Sequence, residues 1–224
     1  MDLAKLLRAY RAYRSGAPLG DVVVWKLAAL SGVPKGVADK LEAMHGYAPE
    51  QDLAILRRLP SGTLGREYAL FLDANGITPL VVSPGVREQF RHDPYALRYT
   101  ATHDIHHVLA GFDTGLAGEA GVLAFNVGQG AAPVGRAMLS FVRVLYSIAS
   151  PTQASAIANN VRVGLAMGES AELVIASPIE SYFEEPLAEV RRRLRIRDPR
   201  EAGVLPSGRS LVTSLLMPRA GGAR

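Results

Sequence analysis

Three of the chain's five histidines fall within five residues, in the run His103-Asp104-Ile105-His106-His107. His103 and His107 are four apart and share one face of a helix, the spacing by which a helix presents two imidazoles to one metal ion. Asp104 stands one position round and offers an oxygen. Glu119 reaches the same point if the chain reverses between the two segments, and Gly111, Thr114, Gly115 and Gly118 are the turn residues for such a reversal. A chance pair on a surface helix is the bland alternative, but the crowding of three imidazoles beside two carboxylates favours a metal site built from His103, Asp104, His107 and Glu119. His106 points off that face and has no ligand role; His45 and His92 read as surface histidines. The chain has no cysteine, so any metal is held by nitrogen and oxygen. One divalent ion is expected, zinc first, with iron, manganese or magnesium as the alternatives that such donors also suit.

The elements that must position these residues read as helices throughout. Asp93-Pro94 opens one, with aspartate as cap and proline in the first turn; it runs through His103 to Leu109 and stops at Gly111. A helix over 116–128 follows and carries Glu119. Others are predicted over 3–14, 20–31, 35–45, 49–58, 134–148 and 151–167. One more is capped by Thr63 and ends at Asn75-Gly76, and a last one runs from Glu185-Pro186 to Leu194. Val22-Val23-Val24 and Leu80-Val81-Val82 are β-branched runs too isolated to build a sheet. The predicted fold is all-α: one compact multi-helix domain over 1–198, with 199–224 as an irregular C-terminal extension.

At 224 residues and 48% hydrophobic content, the chain is long enough for one sizeable core. Its net charge of +4 is not gathered into a basic patch with interleaved aromatics, which argues against nucleic acid. No apolar stretch reaches the roughly 18–20 residues that span a bilayer, and Lys5, Arg8 and Arg11 break any signal-peptide core. Contact with a membrane would therefore be peripheral. The candidate element is 3–14, where Leu3, Leu6, Leu7, Tyr10 and Tyr13 gather on one side and Lys5, Arg8, Arg11 and Arg14 flank them; packing on the core is the alternative.

The run His103-Asp104-x-x-His107, eleven residues, then Glu119 resembles the signature of the fourth Coq protein of ubiquinone biosynthesis. The segment Leu59-Pro60-Ser61-Gly62-Thr63-Leu64-Gly65-Arg66-Glu67-Tyr68 is similar to that family's second hallmark. Arg98-Tyr99 and Pro186-Leu187-Ala188-Glu189-Val190-Arg191 match further parts of it. The likeness covers about 55–197, and the chain departs from it at His106, after Glu119, and at Ile179-Glu180-Ser181-Tyr182, which lacks a tryptophan. The resemblance implies an all-helical, membrane-peripheral protein working on a prenylated hydroxybenzoate or another isoprenoid lipid, with oxidative removal of the ring carboxyl at C1. It also implies a scaffold that gathers other quinone-biosynthesis enzymes, an apolar groove for the prenyl tail open toward the metal near Glu119, and a bacterial cytoplasmic location at the inner membrane. A homodimer is compatible with it.

Membership of the matching segments makes Arg66 and Arg98 candidate substrate-binding residues, since guanidinium holds a carboxylate or phosphate in a two-pronged fork; ion-paired surface arginine is the alternative. Three functions compete. The first is a metal-assisted decarboxylase-hydroxylase. The second is a non-catalytic prenyl-lipid scaffold with a structural metal, which four protein ligands would close. The third is a zinc hydrolase, disfavoured because aspartate at 104 is one methylene too short to place a general base as the glutamate of His-Glu-x-x-His does.

Overall fold

Proline, glycine and short polar side chains cut the chain into helices close to where local chemistry places them. The computed structural model describes residues 2–30, 35–44, 47, 49, 51–132 and 134–208. The helices are α1 (Leu3–Arg14), α2 (Leu19–Leu30), α3 (Lys35–Glu42), α4 (Leu53–Leu56), α5 (Leu64–Asn75), α6 (Pro84–Gln89), α7 (Pro94–Ala110), α8 (Leu116–Gly128), α9 (Arg136–Ala149), α10 (Ala154–Ser170), α11 (Leu187–Arg193) and α12 (Pro199–Ala202). Thr63 caps α5 through Arg66 N, and Asp93 caps α7 through Ala96 N, satisfying donors that the first turn leaves orphaned. Gly111 closes α7 at φ 73°, a left-handed conformation open to glycine at no steric cost.

Among the described residues there is no strand; Thr63 and Pro186 form an isolated bridge. Val22-Val23-Val24 lies inside α2, and Leu80-Val81-Val82 is a loop. Three local expectations shift. The helix expected over 49–58 is only Leu53–Leu56, capped by Asp52. Residues 84–89 form the unanticipated α6, opened by Ser83 as cap and Pro84 in the first turn. The expected helix over 35–45 ends at Glu42, with His45 and the 31–34 break outside the described residues.

Two apolar clusters meet across α7. One gathers Leu64, Tyr68, Leu72, Ile105, Leu109 and Phe125 from α5, α7 and α8, with Met167 of α10 and Val190 of α11. The other gathers Val24 and Trp25 of α2, Leu41 of α3, and Tyr95 and Tyr99 of α7. A helix covered on both sides keeps little solvent face, so α7 buries 12 of its 17 residues and lacks the one-sided apolar stripe of a surface helix. The result is one all-α domain with the histidine run at its centre.

The helix that brings Glu119 is held by backbone proximity. A Cβ on Gly164 of α10 would stand 2.3 Å from Gly121 O, and one on Gly168 would stand 2.1 Å from Phe125 O. The Gly164-x-x-x-Gly168 spacing thus lets α10 press against the backbone of α8. The segment after 198 is packed as far as 208. Asn160 accepts from Leu205 N (2.9 Å) and donates to Leu205 O (2.8 Å). Ser207 N donates to Asp113 Oδ2 (2.7 Å), and Ser207 Oγ donates to Gly115's neighbour Asp113 at Oδ1. The first residues of the expected extension therefore clamp the α7–α8 turn.

Candidate metal centre

The reversal expected between the histidines and the glutamate takes place at 111–115. Gly118 sits so close under the turn that an added Cβ would be 1.8 Å from Asp113 O, which fixes the first turn of α8 and hence Glu119. His103 and His107 project side by side from α7, ring centroids 5.0 Å apart. Glu119 faces both: Oε1 is 3.4 Å from His107 Nε2, and Oε2 is 3.9 Å from His103 Nε2. One donor atom from each of the three lies within 4.8 Å of the others. Three donors about 2 Å from a single ion must stand roughly 3–3.5 Å apart, so small side-chain rotations suffice.

The tautomers are set from behind. His107 Nδ1 is 3.1 Å from the carbonyl of Phe112, an acceptor only, so Nδ1 carries the proton and Nε2 turns its lone pair toward Glu119. His107 is 1% exposed, and Nε2 is buried with no well-directed hydrogen-bond partner. A buried acceptor facing a carboxylate is costly without a cation or a proton between them, and the donor set fits a metal in that position. His103 repeats the pattern: its Nδ1 is 3.2 Å from Asp104 Oδ1, so Asp104 backs His103 as carboxylates back metal-bound histidines. Burial opposes charge on His107, yet the Glu119 carboxylate, 3.4 Å from Nε2, outweighs it and raises the imidazole above its ordinary range.

Residues without an obvious motif complete the surroundings. Phe71 stacks on the His107 ring at 5.5 Å. Tyr99 and Tyr146 lie near enough to Glu119 that its charge, second to burial, raises both phenols, so both stay protonated. Tyr99 was legible as part of a matching segment; Tyr146 lies 27 positions after Glu119 and had no signal in the sequence. His106 is fully buried between Tyr99 and Phe125 with neither ring nitrogen bonded. Burial, followed by the charges of His103, His107 and Arg98, keeps it neutral. His92 is exposed and takes a bond from Arg91.

The two candidate arginines stand differently. Arg98 is 2% exposed. It donates to Glu180 Oε1 at 2.6 Å, Ile175 O at 3.1 Å and Ser177 O at 3.0 Å. Its fork is filled by the segment 175–180, the geometry of an ion-paired arginine that ties α7 to the C-terminal third. Arg66 sits at the start of α5, partly exposed, and donates to Arg57 O. A cleft of about 450 Å³ reaches the group at His107, lined by Leu70, Phe71, Val108, Phe112 and Leu187 together with the polar Glu67, Asn75, Asp113 and Arg191. Glu119 is not among its lining residues. A second cleft, about 480 Å³ and more apolar, lies along Leu53, Pro79, Leu80, Val81 and Ala101.

Fold and site together define an all-helical protein carrying a histidine–glutamate group of metal-ligand geometry. The family described as "Coenzyme Q (ubiquinone) biosynthesis protein Coq4" matches residues 48–200, and the chain belongs to that family. It is 30% identical over 170 residues to the mitochondrial ubiquinone biosynthesis protein COQ4 homolog of Danio rerio, covering 74% of this chain and 61% of that one. It is 32% identical over 158 residues to the counterpart in Mus musculus, covering 66% and 55%. The chain thus spans little more than half the length of these relatives. A crystal structure from Nostoc punctiforme, described provisionally as a ubiquinone biosynthesis protein, superposes with a TM-score of 0.61 at 25% identity, covering 88% of this chain and 97% of that one.

Proposed function

We propose that this protein acts in quinone biosynthesis, binding a prenylated hydroxybenzoate-like intermediate at a metal held by His103, His107 and Glu119. Asp104 orients His103 and, with its side chain turned, serves as a fourth donor. The observation that carries the reading is the orphaned Nε2 of His107 facing Glu119. A bound divalent ion, zinc first, would supply Lewis-acid stabilisation for negative charge developing on a ring carboxylate or hydroxyl. Around it the chain's own groups do the positioning. Tyr99 and Tyr146 keep their protons and can donate to an anionic substrate oxygen. Phe71 and the apolar wall of the cleft at His107 exclude water and accept isoprenoid carbon. Arg66, partly exposed at the start of α5, is the arginine with an open edge to meet an anion, whereas Arg98 acts from inside as a brace. The reaction inferred breaks the C1–carboxyl bond to release carbon dioxide and forms a C1–OH bond with oxygen from water or dioxygen, a two-electron oxidation whose electrons pass to dioxygen or another external two-electron acceptor. The alternative is a non-catalytic scaffold for other quinone-pathway enzymes, which a closed shell with Asp104 turned in as fourth ligand would favour.

Work on such a lipid places the protein at a bilayer, because each buried CH₂ is worth roughly 0.8 kcal/mol and a polyprenyl tail stays in the membrane. Among the described residues no helix is long and apolar enough to cross one, so contact is peripheral, at the inner membrane of a bacterial cell. Metal analysis and mass spectrometry of co-purifying lipids test the proposal together. One divalent ion per chain, lost in His107→Ala and Glu119→Ala, with a prenylated aromatic acid bound, is the expected result. Protein purified without chelators that holds no metal would remove the site, and one that carries metal but never an isoprenoid would turn the reading toward a hydrolase.

A further inference from the structure

Helix α9 has two apolar sides, and only one of them is used. Leu139 is buried, and Tyr146 packs beside Ile157 of α10 and Ala117 and Ala120 of α8. Round the other side Met138, Phe141, Val144, Leu145 and Ile148 are 48–71% exposed. They follow one another at the steps of a single helical stripe. Ser140 and Ser147 border this stripe, and Arg136 and Arg143 lie beyond them. Arg136 is paired with Glu169. Arg143 is exposed. The surrounding sequence has no aspartate or glutamate from residue 120 to residue 168, while it holds three arginines, Arg136, Arg143 and Arg162.

We propose that α9 is the helix by which this protein enters an anionic bilayer, with Met138, Phe141, Leu145 and Ile148 among the acyl chains and Arg143 at the phosphate layer. This rests on the lipid reading above and names the surface that serves the same site. An in-plane helix with one apolar edge and arginine on its polar side is the form that sinks 5–10 Å into the headgroup boundary. Charge decides between a bilayer and a second copy of the chain. Arg143 is exposed on the polar side of a helix that carries no carboxylate, so a second copy of α9 offers it no anion. Lipid phosphate supplies that anion. The placement also has a functional consequence: the inner side of the same helix carries Tyr146 toward Glu119, so the element in contact with the lipid layer is also a wall of the candidate metal centre.

The test uses the full chain on phosphatidylcholine vesicles with and without phosphatidylglycerol. The double variant F141D/I148D should bind anionic vesicles at least about tenfold more weakly, with unchanged helical content and metal, because both side chains are exposed. In a separate variant, Phe141→Trp should be quenched by lipids brominated in the acyl chain, against the background of Trp25, which is buried. Wild-type binding with no loss in the double variant and no quenching at 141 would overturn the role of α9 while leaving the bilayer reading intact. A double variant that dissociates a dimer in sedimentation and still binds vesicles would show the face to be an interface between copies, and would overturn the proposal too. Absence of vesicle binding by the wild-type protein would overturn both.

Discussion

His107 is the residue on which the candidate site turns, because its two nitrogens are assigned by opposite means. The Phe112 carbonyl fixes the proton on Nδ1, and Glu119 waits opposite Nε2. Burial disfavours the imidazolium, but the facing Glu119 carboxylate raises the folded-state pKa above the ordinary value. A raised value contributes stability that is fully present below the unfolded pKa and is lost as pH rises through the folded one. Metal-free protein should therefore gain melting temperature as pH is lowered from about 8 toward about 6, either side of the ordinary histidine value near 6.5. Metal-loaded protein should lose its ion over the same interval, because proton and metal compete for Nε2. Calorimetry with and without metal reads both, and His107→Gln should abolish the divergence. Arg98 makes the complementary case. Removing it as Arg98→Met leaves Glu180 buried without its cation, and the expected loss is roughly 3–5 kcal/mol. Glu180→Gln should cost less, since the amide oxygen can still accept from Arg98. Denaturant titration of the two variants checks the order.

At the scale of elements, the approach of α10 to α8 decides where Glu119 stands. The positions of Gly164 and Gly168 have no room for a Cβ against the α8 backbone. Gly168→Ala should destabilise by roughly 1–3 kcal/mol through overpacking. It should also weaken metal binding, though residue 168 touches no ligand, because α8 must shift; thermal unfolding and metal titration of one variant measure the two effects. Helix α1 leaves most of its apolar side open. Ala9 is its buried residue, while Leu3, Leu7, Tyr10 and Tyr13 are 53–68% exposed, so most of the apolar side does not pack on the core. Deleting residues 2–14 should weaken vesicle binding and leave metal content unchanged, which sedimentation with anionic vesicles at rising salt will show. Full retention of binding would leave lipid contact to α9.

The whole molecule is arranged around α7, which is shared by two apolar clusters and carries both histidines. A helix buried on both sides is positioned by every element packed on it, so substitutions far from the site should act through it. The C-terminal segment up to 208 belongs to this arrangement, since Ser207 and Asp113 hold the turn that precedes Glu119. Truncation after 198 should lower the melting temperature and weaken metal binding; calorimetry and metal titration of the truncated chain measure the two effects.

Local chemistry was enough to establish much of this. Caps and breakers such as Thr63, Asp93-Pro94 and Gly111 act within a few residues, so the limits of α5 and α7 could be read directly, as could the i, i+4 pair of histidines and the turn that returns Glu119. Tertiary structure decided what depends on long-range partners. Arg98 read as a candidate anion receptor until residues 175–180 filled its fork. Asp104 read as a ligand, and its carboxylate turns to His103. An apolar groove was expected beside Glu119, whereas the cleft that reaches the site opens at His107, and Tyr146 arrives from a helix with no motif. The physical reason is the same in each case. Helix boundaries follow from neighbours along the chain, but the partner of a guanidinium, the walls of a cleft and the exposure of an apolar stripe depend on which distant surfaces pack together.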